Sequence, residues 1–233
     1  MRVEVITAVH APYAHHLPAA WHSLRDQTHT DWTWLVQVDG PRSSAVLAAL
    51  TSCGATDDPR TRLAVNGTRE GPAIARNVAL GRATAPLIQN LDADDELEPT
   101  ALAVLADALD HHPTAGFAVG PARDLMSSGE LVDFPLPFAA GLLPRGVLFD
   151  AWDRDADRRL PVHPAGVMWR RDLLVALGGW SAMHGMEDTA LLMSAAALSP
   201  CALVGTVTLR YRRHRQQRST QTSFFEGGGI RFR

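Results

Sequence analysis

The stretch Pro86-Leu87-Ile88-Gln89-Asn90-Leu91-Asp92-Ala93-Asp94-Asp95 decides how this chain is read. Its first half reads as a buried strand, and Pro99 soon afterwards opens a helical pattern over 100–111. The three acids therefore fall at a strand's carboxyl end, where open α/β sheets bind ligands. Carboxylates this close repel one another and favour a cation. Their hard oxygens suit Mg²⁺ or Mn²⁺, which in turn suits a diphosphate. A second reading stands beside it: Asp94, Asp95 and Glu96 could simply complement the positive N-terminus of the next helix. An isolated Asp-x-Asp does not separate the two, so the surrounding sequence has to.

Upstream, strand and helix signals alternate. Val3–Val9 is β-branched and ends at His10-Ala11-Pro12, after which Leu17, Ala20, Trp21 and Leu24 recur at helical spacing. Trp32–Val38 alternates as a strand and stops at the turn Asp39-Gly40-Pro41. Ser43 or Ser44 can cap a helix over Ala45–Leu50. A short strand, Arg62–Val65, leads to Glu70-Gly71-Pro72 and a helix over Ala73–Gly81. This rhythm predicts an open, mostly parallel, right-handed α/β sheet flanked by helices.

Downstream of residue 112 the rhythm breaks. Gly116–Val119 can form a strand, but Ser127–Asp157 is rich in Pro and Gly and reads as a long irregular excursion. Regularity returns with Gly166–Trp169, a helix Asp172–Leu177 closed by Gly178-Gly179, a helix Glu187–Leu198 and a strand Ala202–Tyr211. Residues 219–233, with Gly227-Gly228-Gly229, read as a mobile tail. The expectation is a single domain over 1–233, with a regular half (1–112), a less regular half (113–218) and that tail.

Composition narrows the function classes. The 233 residues are 46% hydrophobic and 20% charged, enough apolar material for a sizeable core, and the net charge of −3 provides no global positive field for nucleic acid. No signal peptide or transmembrane run is visible, and Cys53 and Cys201 lack metal-ligand spacing, so a cytoplasmic protein with unpaired cysteines is expected. All 22 basic residues are arginine. A phosphate-loop lysine, a Schiff-base lysine and a kinase-type strand lysine are thereby excluded. The Lys-free, Ala- and Arg-rich usage points to a GC-rich bacterial genome.

With these elements laid out, the chain resembles family 2 glycosyltransferases of the GT-A fold over residues 1–215. The resemblance runs in motif order: Ser23-Leu24-Arg25-Asp26-Gln27-Thr28, Val36-Gln37-Val38-Asp39-Gly40, Gly71 with Ala75-Arg76-Asn77, Leu91-Asp92-Ala93-Asp94-Asp95, Gly178-Gly179-Trp180 with Glu187-Asp188, and Tyr211-Arg212-Arg213-His214. Three departures bear on donor recognition. Val38 replaces the usual Asp before Asp39, His10-Ala11 stand where Tyr-Asn is common, and Thr189-Ala190 follow the Glu-Asp pair in place of an aromatic.

The resemblance implies metal-dependent, inverting transfer of a sugar from a nucleotide-diphosphate sugar to an acceptor hydroxyl, with 1–112 the nucleotide-sugar-binding half and 113–218 the acceptor-facing half. It implies that Asp94 ligates Mn²⁺ or Mg²⁺, that Asp92 contacts the ribose and that Asp39 binds the nucleobase, although Asp39 could instead cap backbone amides in its turn. Arg76 offers a planar fork for a base carbonyl or phosphate, or is a surface helical arginine. Asp188, with Glu187 beside it, can serve as general base if burial raises its pKa, or the pair is an acidic first turn. Trp180 gives a flat face for a sugar or packs in the core. His214 is a second candidate metal ligand, in an arginine-rich run whose other reading is a nucleic-acid or membrane patch. The rival acids Asp153, Asp155 and Asp157 are interleaved with arginines and read as solvated ion pairs, and the pairs His15-His16 and His111-His112 read as surface residues. A nucleotidyltransferase and a non-catalytic nucleotide- or glycan-binding relative are the alternatives. The apolar segment Phe134–Phe149 reads as a core-facing loop, a wall of an apolar acceptor pocket or a surface that dips into a membrane. Basic residues are sparse around it, so the expectation is core packing with part of it lining the site of a small-molecule or soluble glycan acceptor.

Overall fold

A computed structural model describes residues 1–157, 159–183, 185–215 and 217. The elements run β1 (Val3–Val9), α1 (Leu17–Arg25), β2 (Trp32–Val38), α2 (Ser44–Ser52), β3 (Thr61–Val65), α3 (Pro72–Leu80), β4 (Leu87–Asn90), β5 (Glu96–Leu97) and α4 (Ala101–His111). They continue with β6 (Phe117–Val119), β7 (Ala122–Leu125), β8 (Leu131–Asp133), β9 (Gly141–Leu143), α5 (Val147–Arg154), β10 (Met168–Arg170), α6 (Arg171–Ala176), α7 (Glu187–Leu198), β11 (Cys201–Leu203) and β12 (Leu209–Arg212). Eight strands form the main sheet in the order β3-β2-β1-β4-β10-β6-β11-β9, and β5-β12-β7-β8 form a smaller one.

The period-2 pattern sorts side chains to two faces. Val3, Val5, Trp32, Trp34 and Val36 pack with α1, α2 and α4, whereas Ile6, Leu35 and Ile88 pack with α3, α6 and α7. This gives a three-layer α/β/α sandwich. Trp21 stacks on Trp34 with ring centroids 5.8 Å apart, tying α1 to the sheet. A charged exception is Glu4, buried in β1, whose carboxylate accepts the Thr84 and Ala85 amides at 2.6 and 2.8 Å. Among the described residues no helix is long and apolar enough to cross a membrane.

β3, β2, β1 and β4 are parallel, and the order reverses at β1, which lies between β2 and β4. The carboxyl ends of all four open on one side, the place where such sheets bind ligands.

Several sequence expectations are corrected. The single strand expected over Ala202–Tyr211 is two strands, β11 in the main sheet and β12 in the small one. Residues 204–208 carry the chain between sheets, and the side chain of Thr208 fills the space against Gly120, where a Cβ would lie 2.6 Å from it. Gly205, which interrupts the run within this crossing, is the one sequence mark of the transfer. The excursion 127–157 contains β8, β9 and the amphipathic α5; β8 closes a local hairpin with β7, β9 pairs with the distant β11, and strands this short leave little local period. The tail 219–233 lies outside the described residues.

Candidate active site

β4 delivers its acids through a fixed turn. Leu91 N–H donates to Ile6 O at 3.1 Å, Thr7 Oγ1 donates to Leu91 O at 2.7 Å, and Asp95 N–H closes on Asp92 O at 3.1 Å. β5 separates this turn from α4, whose first turn holds no acid. The helix-terminus reading of Asp94, Asp95 and Glu96 is therefore removed by the two residues of β5.

β12 clamps the turn from the other side. Arg212 N–H donates to Asp95 Oδ1 at 2.9 Å, its Nε donates to Asp94 O at 2.8 Å, and its guanidinium also pairs with Glu96. Just beyond, His214 Nε2 lies 2.8 Å from Asp94 Oδ2. Burial, then repulsion from Asp92, raises the Asp94 carboxyl, with His214 opposing. Asp95 is 1% exposed and is held well above the usual carboxylate range by burial and by Asp94 and Asp92; its Oδ2 is buried without a hydrogen bond. His16, expected at the surface, is half-buried with its ring 5.0 Å from that of His214, and burial holds it down at about 4.

A second acid pair arrives from α7. Met186, in the left-handed region at φ 63°, turns the chain into the helix and sets Glu187 and Asp188 in its first turn. Arg76 of α3 joins the two acidic groups: Nη2 is 2.6 Å from Asp92 Oδ1, and Nη1 is 3.4 Å from both Glu187 Oε1 and Asp188 Oδ1. Buried among three carboxylates, Arg76 is not the surface arginine that its sequence position allowed. Burial pushes Asp188 up to about 7, with Asp92 and Glu187 adding to the shift and Arg76 and Trp180 opposing it.

Asp39 accepts the Glu70 amide at 2.7 Å and the Gly71 amide at 3.0 Å, so its carboxylate fixes the entry to α3 while lining the cleft. Trp180 is only 2% exposed and packs in the core instead of lining the cleft. Its backbone is gripped by Asn77, which donates to Trp180 O at 2.8 Å and accepts from Trp180 N–H at 2.9 Å.

The cleft has a volume of about 980 Å³ and brings together Asp39, Arg76, Asp92, Asp94, Glu187 and Asp188. His10 and His163 line it too, unflagged by any metal-like spacing. None of Phe134–Phe149 lines it; Leu136, Phe138 and Leu143 pack against the core, Leu142 and Phe149 are exposed, and Phe134 reaches the cleft only through contact with His163. Of the rival acids, Asp153 and Asp157 are exposed, with Asp157 paired to Arg159 at 2.7 Å, and Asp155 is half-buried and accepts the Asp157 and Arg159 amides at 2.9 and 3.1 Å. Among the described residues no group of three or more His, Cys, Asp and Glu could hold a metal by itself.

Residues 5–171 match the family model for glycosyl transferase family 2. No curated protein matches the chain. Among solved structures, S. aureus TarS 1-349 in complex with UDP-GlcNAc superposes with a TM-score of 0.74 at 16% identity, over 97% of this chain and 64% of that one. S. aureus TarS 1-349 alone gives 0.70 at 16%, over 91% and 60%. Mannosyltransferase PcManGT from Pyrobaculum calidifontis, in complex with GDP-Man and Mn²⁺, gives 0.60 at 20%, over 89% and 56%. The chain thus spans less than two thirds of each of these structures, and what it shares with them is the GT-A fold.

Proposed function

The chain belongs to glycosyl transferase family 2, and from that premise we propose that it moves a sugar from a nucleoside-diphosphate sugar to an acceptor hydroxyl, with inversion and with a divalent cation. One observation carries the reading. A single cleft holds a strand-end acid group and a separate acid pair, joined through Arg76. The ligands bound in the neighbours, UDP-GlcNAc and GDP-Man with Mn²⁺, support the same substrate class.

The donor set fits a hard cation. Asp94 and His214 are already in contact, and the neighbouring Asp95 carries an orphaned buried oxygen among repelling carboxylates. Two protein donors would leave the other positions to diphosphate oxygens and water, the usual arrangement for Mg²⁺. Bound there, the ion would supply Lewis-acid stabilisation of the departing diphosphate.

The remaining roles follow from the side chains. Asp39, and Asp92 beside it in the cleft, bind the nucleoside; Asp188 accepts the proton of the attacking acceptor hydroxyl as the bond to the diphosphate breaks, with Glu187 beside it. A carboxylate at about 7 is matched to that task near neutral pH. The acceptor is a small molecule or soluble glycan, and the setting is the cytoplasm of a bacterium. A nucleotide-sugar panel, read by thermal shift and nucleoside-diphosphate release, tests the reading. One donor should both stabilise the protein and be consumed, giving a product of inverted anomeric configuration. Binding without turnover would make the protein a non-catalytic relative, and a retained configuration would overturn the single-displacement mechanism.

A further inference from the structure

His163 precedes the short 3-10 turn Pro164–Gly166 that leads into β10. Its Nδ1 accepts the Ala165 N–H at 3.3 Å. A ring nitrogen that accepts carries no proton, so the neutral ring holds its proton on Nε2. The ring is neutral at physiological pH: burial, together with Arg213, holds it down at about 4 against the pull of Asp92. Tyr211 packs on it at a centroid distance of 4.3 Å and Phe134 meets it edge-on at 5.6 Å. The turn is pinned over the end of β4, where Asn90 Nδ2 donates to Ala165 O at 3.1 Å.

A purely structural histidine would need only Nδ1, which caps the turn. Its other nitrogen has no hydrogen-bond partner among the described residues, although the ring lines the cleft that holds Asp92 and Asp94. His163 is half-buried and its ring lines the cleft, so an Nε2–H without a protein partner is open to a ligand there. A neutral donor also suits this place. It can hold an oxygen without adding a cation to the charge balance around Arg76.

We propose that His163 is a donor-substrate-binding residue, whose Nε2–H holds an oxygen of the nucleotide sugar beside Asp92. The proposal rests on the nucleotide-sugar reading above. The oxygen is a hydroxyl of the transferred sugar or an oxygen of the diphosphate, and the experiment separates these.

H163F keeps ring size and aromatic contacts but removes the N–H, whereas H163Q restores an amide N–H near the position of Nε2. With both variants folded, H163F should lower kcat/KM for the donor about tenfold to a hundredfold, and H163Q should recover most of it. Weakened binding of the nucleoside diphosphate alone assigns the contact to the diphosphate. Unchanged diphosphate binding with weakened nucleotide-sugar binding assigns it to the sugar. If H163F does not fold, H163N replaces it, since its amide sits near Nδ1 and should not rescue. In the wild-type protein, ¹⁵N-histidine NMR at neutral pH should show the Nε2–H tautomer. An Nδ1–H tautomer or an imidazolium overturns the proposal, as does H163F with wild-type kinetics or H163Q as impaired as H163F. Wild-type protein that binds neither nucleotide sugar nor nucleoside diphosphate overturns the functional reading and this inference together.

Discussion

At Asp188 opposing influences act on one carboxyl group. Burial, Asp92 and Glu187 raise it, Arg76 at 3.4 Å lowers it, and about 7 is the result. A base that works deprotonated then gains activity as pH rises. Transfer should climb about tenfold per pH unit well below that value and level off above it. Asp188→Asn should remove this limb and cost about 10²–10⁴ in kcat, with donor affinity little changed. A pH profile that is flat from acid to alkaline would exclude Asp188 as the base. Stability runs the other way. The folded-state pKa lies above the unfolded value of about 3.9, so between about 4 and about 7 the folded protein holds a proton that the unfolded chain has released. Stability contributed by that proton is full below the window and is lost as pH rises through it. Asparagine binds no such proton, so the variant should lack this part of the decline, which denaturant midpoints at pH 5 and pH 8 would reveal. The acids at this scale were legible in sequence from their place at strand and helix ends. His163 was not, and Asn77 showed only as part of the Ala75-Arg76-Asn77 motif, because each owes its role to a contact made across the fold.

Between residue and molecule, the segment leading into α7 depends on one close approach. Gly179 has φ 71°, and a Cβ there would lie 2.2 Å from Asn77 Oδ1. That amide side chain holds both backbone hydrogen bonds of Trp180, and Trp180 in turn lies beside Asp188. Gly179→Ala should therefore combine left-handed strain with loss of the Asn77 clamp, costing about 1–3 kcal/mol in chemical denaturation. It should also lower kcat, because the start of α7 shifts with Trp180. Unchanged stability would mean that Asn77 can move aside freely. Elements were legible where a period ran long enough, as in β1, α1 and β2. The three-residue β9 was lost, and β11 and β12 were merged into one, because pairing across the fold, and not local pattern, decides these conformations.

Across the whole molecule, the site is completed by parts distant in sequence. The family match ends at residue 171, yet Glu187, Asp188, Arg212 and His214 lie beyond it. β12 enters the small sheet between β5 and β7 and carries Arg212 onto the acid turn. The parallel half supplies strand ends on which a nucleotide can rest, and the later residues supply the proposed second metal donor and the proposed base. Such a site should respond to its ligands jointly. A cation alone meets only two protein donors, and a nucleoside diphosphate alone brings negative charge toward Asp92 and Asp94. Together each offsets the other. Ligand at about a hundred times its dissociation constant adds about 2.7 kcal/mol to stability, which in a chain of this size shifts the unfolding midpoint by about 5–10 °C. We predict that Mn²⁺ with nucleoside diphosphate gives a shift well above the sum of the separate shifts. Asp94→Asn should abolish the excess and the metal-dependent turnover while the unliganded protein stays folded, since an amide keeps the shape of the side chain and loses its charge. A diphosphate shift of the same size in EDTA, or an undiminished excess in the variant, would show that the acid turn binds the donor without a cation.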